Sequence, residues 1–185
     1  MRIVGGRLRG RAIAAPPGDA IRPTADRVRE SVFNILSHGP LARPFGDLAV
    51  LDGFAGTGAM GLEAFSRGAD AVAMMDDSRD ALAVCRANAK KLGADSARIV
   101  QGDCTRPPRA AAPCDLVFLD PPYRSGLAAA ALTALAGAGW IAADAVCVVE
   151  LSAAEPFRPP PGFAAVDERR YGAARVVFLR RDART

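Results

Sequence analysis

"LDGFAGTGAMGLEA", residues 51–64, decides the fold. The apolar run LAVLD, 48–52, leads into it, and AMGLEAFSRG, 59–68, a stretch suited to helix, leads out. Between them Gly56, Gly58 and Gly61 satisfy the pattern GxGxxG. Such glycines let backbone approach a ligand and let a helix pack close to a strand. A buried strand, a glycine loop and a helix predict a βα unit with a ligand outside the strand's carboxyl end.

The alternation continues downstream. AVAMM (71–75), ARIVQ (97–101), DLVFL (115–119) and AVCVVEL (145–151) read as further strands. Ser78 caps a helix running through Leu92, with Leu82, Cys85, Ala89 and Leu92 on one face. LAAAALTALA (127–136) is helical by propensity. Continuous apolar strands separated by helices predict an α/β fold, a parallel sheet covered on both faces. Two last β-like stretches, 164–167 and 174–179, have no helix between them. They are expected to form a hairpin, leaving one strand antiparallel to the rest. Upstream, Val28, Val32, Ile35 and Leu36 recur at helical spacing behind Thr24, a good N-cap, and Gly39-Pro40 stops that helix. Residues 1–23 read as a basic, glycine-rich hairpin or arm followed by a loop. Residues 24–185 read as the main domain, with 24–38 as its leading helix.

The 185 residues, half of them hydrophobic, suffice for one domain with a real core. No apolar run approaches the length of a membrane span, and the first residues lack the apolar stretch of a signal peptide. A cytoplasmic monomer is expected. Cys85, Cys104, Cys114 and Cys147 form no CxxC pair and His38 is the single histidine, so a structural metal site is not expected. Net charge is +4. Its placement is more telling: Arg2, Arg7, Arg9, Arg11, Arg22, Arg27 and Arg29 crowd the first 30 residues, and a second arginine cluster closes the chain. A basic arm of this kind suits a polyanion.

Two ligands compete for the glycine loop. Asp76-Asp77, about twenty residues on, suits a ribose. But Asp52 ends the first strand, and Gly53-Phe54-Ala55 come before the first motif glycine. A carboxylate there repels pyrophosphate and favours a cation. S-adenosylmethionine carries an ammonium and a sulfonium and no phosphate, so it fits better than a nicotinamide dinucleotide. Asp52, Asp76, Asp103 and Asp120 each close a successive strand, and four acids in register beside one glycine loop mark a site. After Asp120 come Pro121, Pro122 and Tyr123. Successive prolines fix φ twice and remove two amide donors, making a stiff segment whose carbonyls can accept.

DGFAGTGAMGLEA, the acidic MMDD, GDC and DPPY together resemble class I S-adenosylmethionine-dependent methyltransferases that modify exocyclic amines. The N-terminal RIVGGRLRGR and RPTADRVRESVFNIL, with RGAD, a late YG and the overall length, narrow the resemblance. They are similar to the bacterial 16S rRNA guanine-N2 methyltransferases of the RsmD family, over almost the whole chain. The resemblance implies a Rossmann-like, seven-stranded, mostly parallel sheet with one antiparallel strand and a small N-terminal β-hairpin extension. It implies S-adenosyl-L-methionine as cofactor and no metal. The implied partner is 16S rRNA in a partly or fully assembled small subunit. Asp52, Gly53, Phe54, Ala55, Gly56, Thr57 and Gly58 would hold the methionine part. Asp76 or Asp77 would take the ribose: the family usually shows acid-x-acid there, whereas Ser78 follows here. Asp103 and Cys104 would meet the adenine. Asp120, Pro121, Pro122 and Tyr123 would be the catalytic clamp, with the Asp120 carboxylate and the Pro121 carbonyl on the amine and the Tyr123 ring under the base. Arg7, Arg9, Arg11, Arg22, Arg27 and Arg29 would meet RNA. DPPY is shared with enzymes acting on DNA or on protein glutamine, which is the alternative within enzymes. A non-catalytic RNA-binding assembly factor is the alternative from another class, disfavoured by an intact glycine loop beside an intact DPPY.

Overall fold

The computed structural model describes residues 1–15, 23–122 and 125–182. Helix α1 (Pro23–His38) leads into β1 (Ala49–Gly53), α2 (Ala59–Ser66), β2 (Ala71–Asp76), α3 (Arg79–Lys91) and β3 (Arg98–Gln101). Then follow β4 (Cys114–Leu119), α4 (Leu127–Gly137), β5 (Ile141–Ser152), β6 (Phe163–Tyr171) and β7 (Ala174–Arg181). The seven strands form one sheet in the order β3-β2-β1-β4-β5-β7-β6. β1 to β5 are mutually parallel, and β7 runs antiparallel to both β5 and β6. The expected sheet, closing hairpin and single antiparallel strand are all present.

Side-chain alternation along the strands divides the interior into two layers. Val50, Val72, Met74, Leu116, Phe118, Val146 and Val148 face one cluster together with Val28, Val32, Phe33 and Leu36 of α1. Leu51, Met75, Val117, Leu119, Cys147 and Val149 face the other, against Ala131, Leu132 and Leu135 of α4. Phe33 is fully buried, its ring 5.2 Å from that of Phe118 and 5.6 Å from that of Phe45. It fixes α1 across the strand that ends in Asp120. Ser78 caps α3 as expected, accepting from the Ala81 amide at 3.2 Å. α1 begins at Pro23, one residue before the expected cap, in the first-turn position that proline tolerates best.

Two strands outrun their sequence signal. β5 starts at Ile141 rather than 145, because Ile141 pairs with Cys114 ahead of an irregularity in which Asp144 takes a left-handed φ of 60° and the register with β4 shifts. β6 extends through Glu168-Arg169-Arg170, residues that read as loop. It is an edge strand, where charge faces water and discourages further pairing.

The expected N-terminal hairpin of two strands does not form. Residues 1–13 make a closed loop with one isolated antiparallel bridge, Arg2 to Ala12, around a 3-10 turn at Gly6–Leu8. The loop pairs with itself through the Ile3 amide on the Arg11 carbonyl (2.9 Å), the Gly10 amide on the Ile3 carbonyl (2.8 Å) and the Ile13 amide on the Met1 carbonyl (3.0 Å), too few bonds for two full strands, and it also lies against the domain. Amides of Val4, Leu8 and Ala14 donate to Glu63 (2.8 Å), Ser66 (2.9 Å) and Asn88 (2.8 Å) on α2 and α3. Gly6, at φ 71°, approaches so closely that a Cβ would lie 2.1 Å from the Ser66 carbonyl oxygen. Side chains on α2 and α3 thus take the Val4, Leu8 and Ala14 amides, and the loop's own pairing takes those of Ile3, Gly10 and Ile13.

Candidate active site

The site is built on the carboxyl ends of the central strands. Asp52, at the end of β1, is 3% exposed, and its Oδ2 accepts the Gly61 amide at 2.8 Å. The helix N-cap, Gly58, has no side chain to offer, so Asp52 takes an orphan amide of α2's first turn from a distance. Burial is the main cause that pushes its carboxyl up to about 7; the Gly61 bond opposes this and the Asp76 charge adds to it. Between Asp52 and α2 the loop is tied down by Ala55 N–H to the Met75 carbonyl (2.9 Å) and Gly58 N–H to the Ala55 carbonyl (2.7 Å). Phe54 holds a left-handed φ of 57°, a conformation costly for a side-chain-bearing residue and kept by the ties on either side. Gly58 could carry no Cβ: it would lie 2.8 Å from both Cys85 Sγ and Met74 Sδ.

Asp76 ends β2. Its Oδ2 accepts the Gly56 amide (2.8 Å) and its Oδ1 the Ser78 amide (2.9 Å), so this acid shapes the glycine loop, whereas Asp77 is exposed. Asp103 is tied into its own turn. Its Oδ1 accepts from both the amide (2.8 Å) and the hydroxyl (2.7 Å) of Thr105, which hold its pKa below the ordinary value. Cys104 is buried, and desolvation pushes its thiol up to about 12. All four cysteines are buried and unpaired in disulfides, with thiols pushed up to about 12, so none offers a thiolate.

Asp120 follows β4. Its side chain opens into a cavity of about 260 Å³, lined also by Asp52, Phe54, Gly56, Thr57, Met60, Phe118, Glu150, Arg29 and Met1. Asp120 is exposed at the mouth of this cleft, and partial desolvation, then the charges of Glu150 and Asp52, push its carboxyl up, to about 8 with the cleft closed to water. Water in the open cleft tempers that rise, and a ligand that displaces the water strengthens it. Pro121 is buried, and Pro122 is exposed with its carbonyl accepting the Ser125 amide at 3.2 Å. Tyr123 lies outside the described residues, as does Arg22.

Asp52, Asp120 and much of the glycine loop therefore share one cavity. Asp76, Asp77, Asp103 and Cys104 flank it without lining it. Glu150 was not among the sequence candidates. The signal was there, since VVEL (148–151) closes the fifth strand with an acid just as the earlier strands close. The arginines divide too. Arg7, Arg9, Arg11 and Arg27 are exposed, Arg7 stacking its guanidinium 4.2 Å above the Phe65 ring. Arg29 is the correction. It is 4% exposed, donates to Asp26 at 2.8 Å and to the Arg2 carbonyl, and lies 3.7 Å from Glu63. A guanidinium so enclosed holds the fold together and cannot reach a phosphate on the surface. The terminal arginine cluster is partly neutralised, with Arg169 on Asp167 at 2.9 Å and Arg170 and Arg175 each 3.6 Å from Glu168. Among the described residues no group of three His, Cys, Asp or Glu could hold a metal ion, and no helix is long and apolar enough to cross a membrane.

A family model described as Conserved hypothetical protein 95 matches residues 1–180. Ribosomal RNA small subunit methyltransferase D of Escherichia coli (strain K12) is 38% identical over 151 residues, which are 81% of this chain and 74% of that protein. The chain belongs to the ribosomal RNA small subunit methyltransferase D family. The family's member from Haemophilus influenzae is 31% identical over 177 residues, 93% of this chain and 89% of that protein. A solved structure described as a putative methyltransferase, yhhF, from Escherichia coli superposes with a TM-score of 0.82 at 33% identity, covering 100% of this chain and 99% of that one. The sheet order and the acids at its strand ends are thus set in a methyltransferase family.

Proposed function

We propose that the protein transfers a methyl group from S-adenosyl-L-methionine to the N2 amine of a guanine in 16S rRNA of the small ribosomal subunit. The observation that carries this is the acidic cavity at the strand ends, with Asp52, Asp120 and Glu150 on its wall beside the glycine loop. Desolvation first, and then neighbouring carboxylates, raise two carboxyls there to about 7 and 8; three acids face one arginine on the wall, with Arg29 the last and weakest of the causes acting on Asp52. A cationic ligand relieves that imbalance and a pyrophosphate aggravates it. A Cβ built on Gly56 would find nothing closer than 4.0 Å, so the loop backbone is open to a ligand there.

When bound, S-adenosylmethionine supplies an electrophilic methyl group on sulfur. Asp52 and the loop from Phe54 to Gly58 are suited to its amino-acid end, and Asp76 or Asp77 to its ribose. Asp120 has the amine to manage. The lone pair of a guanine N2 is delocalised into the ring and attacks poorly. A carboxylate accepting an N–H bond localises that lone pair, offsets the positive charge that develops on nitrogen and receives the proton that leaves. The Pro121 carbonyl is the second acceptor and Tyr123 the stacking platform for an extruded base. In-line approach at about 3 Å is what this clamp secures.

Two measurements test this reading. Mass spectrometry of rRNA nucleosides from a deletion strain should show the loss of one N2-methylguanosine, restored by the gene; an unchanged nucleoside profile refutes the assignment. Calorimetry should give S-adenosylmethionine binding and no comparable binding of NAD, and the reverse result would hand the glycine loop to a dinucleotide.

The exposed arginines carry a separate expectation. Replacing Arg7, Arg9, Arg11 and Arg27 with alanine should weaken binding to small-subunit particles. Each lost phosphate contact should lower the slope of log affinity against log salt by roughly 0.7 to 0.9. Cofactor affinity should stay at the wild-type value. An unchanged salt slope would show that this surface does not meet RNA.

A further inference from the structure

Glu150 lines the cavity, and the clamp described above does not use it. Leu119 pairs with Val149 across the parallel β4–β5 ladder, and Asp120 and Glu150 each lie one residue further on. Neighbouring parallel strands alternate in step, so both carboxyls rise from the face that carries Phe118 and Val148. Both line the same cavity, and the charge of Glu150 reaches Asp120. On its other side Glu150 pairs with Val176 of β7, which also lines the cavity. Adjacent strands stand about 4.8 Å apart, close enough for two carboxyls to converge on one base edge.

A pair of acceptors side by side is a chemical description of what it reads. Guanine presents two adjacent donors, the N2 amine and N1–H. Adenine presents an amine beside N1, which carries a lone pair, and cytosine an amine beside N3, which does the same. Two carboxylates match the first edge and repel the other two at one position.

We propose that Glu150 selects the base, accepting the guanine N1–H while Asp120 holds the N2 amine. This rests on the guanine-N2 reading and deepens it, since it assigns the choice of guanine to one residue. A site built to accept a hydrogen bond rejects an analogue that cannot donate it, because a carboxylate shut off from water by the docked base is left unmatched. Base identity is then read on the Watson–Crick edge of an extruded nucleotide. Phosphate contacts contribute affinity without this information.

The test uses the full chain and small-subunit particles reconstituted with guanine or 2-aminopurine at the target position. 2-Aminopurine keeps the amine, but its N1 carries a lone pair and no proton. The wild-type enzyme should favour guanine by at least about 100-fold in kcat/KM. Glu150→Gln can turn its amide to donate to that lone pair and can still accept the guanine N1–H through its oxygen, so its preference should fall to within about tenfold, mainly through faster 2-aminopurine transfer. Loss of the 6-oxo group is common to both enzymes, so the change in ratio isolates Glu150. Calorimetric affinity of the variant for S-adenosylhomocysteine, expected within about threefold of wild type, shows that the cofactor site is intact. An unchanged ratio in Glu150→Gln overturns the proposal. So does a wild-type enzyme that methylates both bases equally, a result that needs no variant to fold. A wild-type enzyme that makes no N2-methylguanosine on the guanine particles sinks the functional reading itself, and the proposal with it.

Discussion

Asp120→Ala binds S-adenosylmethionine within a few-fold of wild type and loses roughly 10²- to 10³-fold in methyl transfer, the usual cost of removing one preorganised partner of a developing charge. The cofactor's ammonium and ribose have other partners in this reading, Asp52 and Asp76 or Asp77. In the same reading Asp120 faces the amine. Single-turnover rates with saturating cofactor and particles separate the two roles. A large loss of cofactor affinity with the turnover rate intact would move Asp120 to the cofactor. Asp120→Asn is the sharper companion. Its Oδ1 still accepts a hydrogen bond, but it cannot take the proton or balance the charge, so it should lie close to Ala in rate.

Asp120 also sets a pH dependence. Desolvation is the chief cause that pushes the carboxyl of buried Asp52 up to about 7 and that of Asp120, exposed at the cleft mouth, up to about 8. The ionised form is the acceptor, so kcat/KM for the methyl donor, which reports the free enzyme, should rise through pH 7 to 8. The two interact, so that limb belongs to the group of carboxyls. The stability consequence has the opposite sign. A carboxyl raised in the folded state binds its proton more tightly there than in the unfolded chain. Between the unfolded value and the raised one the folded protein holds more protons, so stability falls as pH rises across that window. Asp120→Asn should flatten the fall. An activity limb at pH 5 or below would show instead that Asp120 is ionised throughout.

The strand ends were the most legible part of the sequence, and the reason is physical. An apolar run that stops on an acid carries two signals at once, a buried strand and a polar edge, and β1, β2 and β4 each showed both. Register was not legible. Asp52, Asp120 and Glu150 fall on one sheet face only because β1, β4 and β5 align as they do, and the start of β5 was obscured by the left-handed Asp144. Hence the convergence of Glu150 on Asp120 was passed over, although its acid was in view. The arginines were misjudged for a related reason. On a helix, Arg27 and Arg29 look alike in one dimension, and both lie in a basic stretch. Their 200° separation around α1 sends one to solvent and the other beneath the N-terminal loop, where Glu63 of α2 awaits it. Nothing local marks Glu63 as a buried anion, since an acid inside a short helix ordinarily faces water. The N-terminal segment, rich in Gly and Arg, likewise reads as a free arm. Its bonds to α2 and α3 span 58 to 74 residues of sequence.

Glu63→Ala should lower the unfolding free energy by about 3 to 5 kcal/mol, the range for breaking a buried ion pair from one side. Glu63 is fully buried and serves three groups: the Val4 amide at 2.8 Å, Arg67 Nε at 2.9 Å and Arg29 Nε at 3.7 Å. Removing it takes the carboxylate from Arg67 Nε and leaves Arg29 Nε without its anion, while Arg29 keeps Asp26 at 2.8 Å; at 4% exposure Arg29 cannot rehydrate without opening the loop above it. Part of the loss should therefore be local. Residues 1–13 should detach before the sheet unfolds, since the Val4 bond and the Arg29 contact to the Arg2 carbonyl hold them to the domain. Urea denaturation measures the global term, and hydrogen exchange at Ile3 and Ile13, whose amides donate to the Arg11 and Met1 carbonyls, measures the local one. Met1 and Arg29 also line the cavity, so a loosened loop should weaken cofactor binding although Glu63 does not line it. The triple variant Arg29→Met, Glu63→Met, Arg67→Met offers the decisive comparison, because apolar groups of similar volume remove all three charges together. It should recover much of the lost stability. If Glu63→Ala costs less than about 1 kcal/mol, the range of an exposed pair, the anion is not what anchors the N-terminal segment, and its amide bonds to Ser66 and Asn88 suffice.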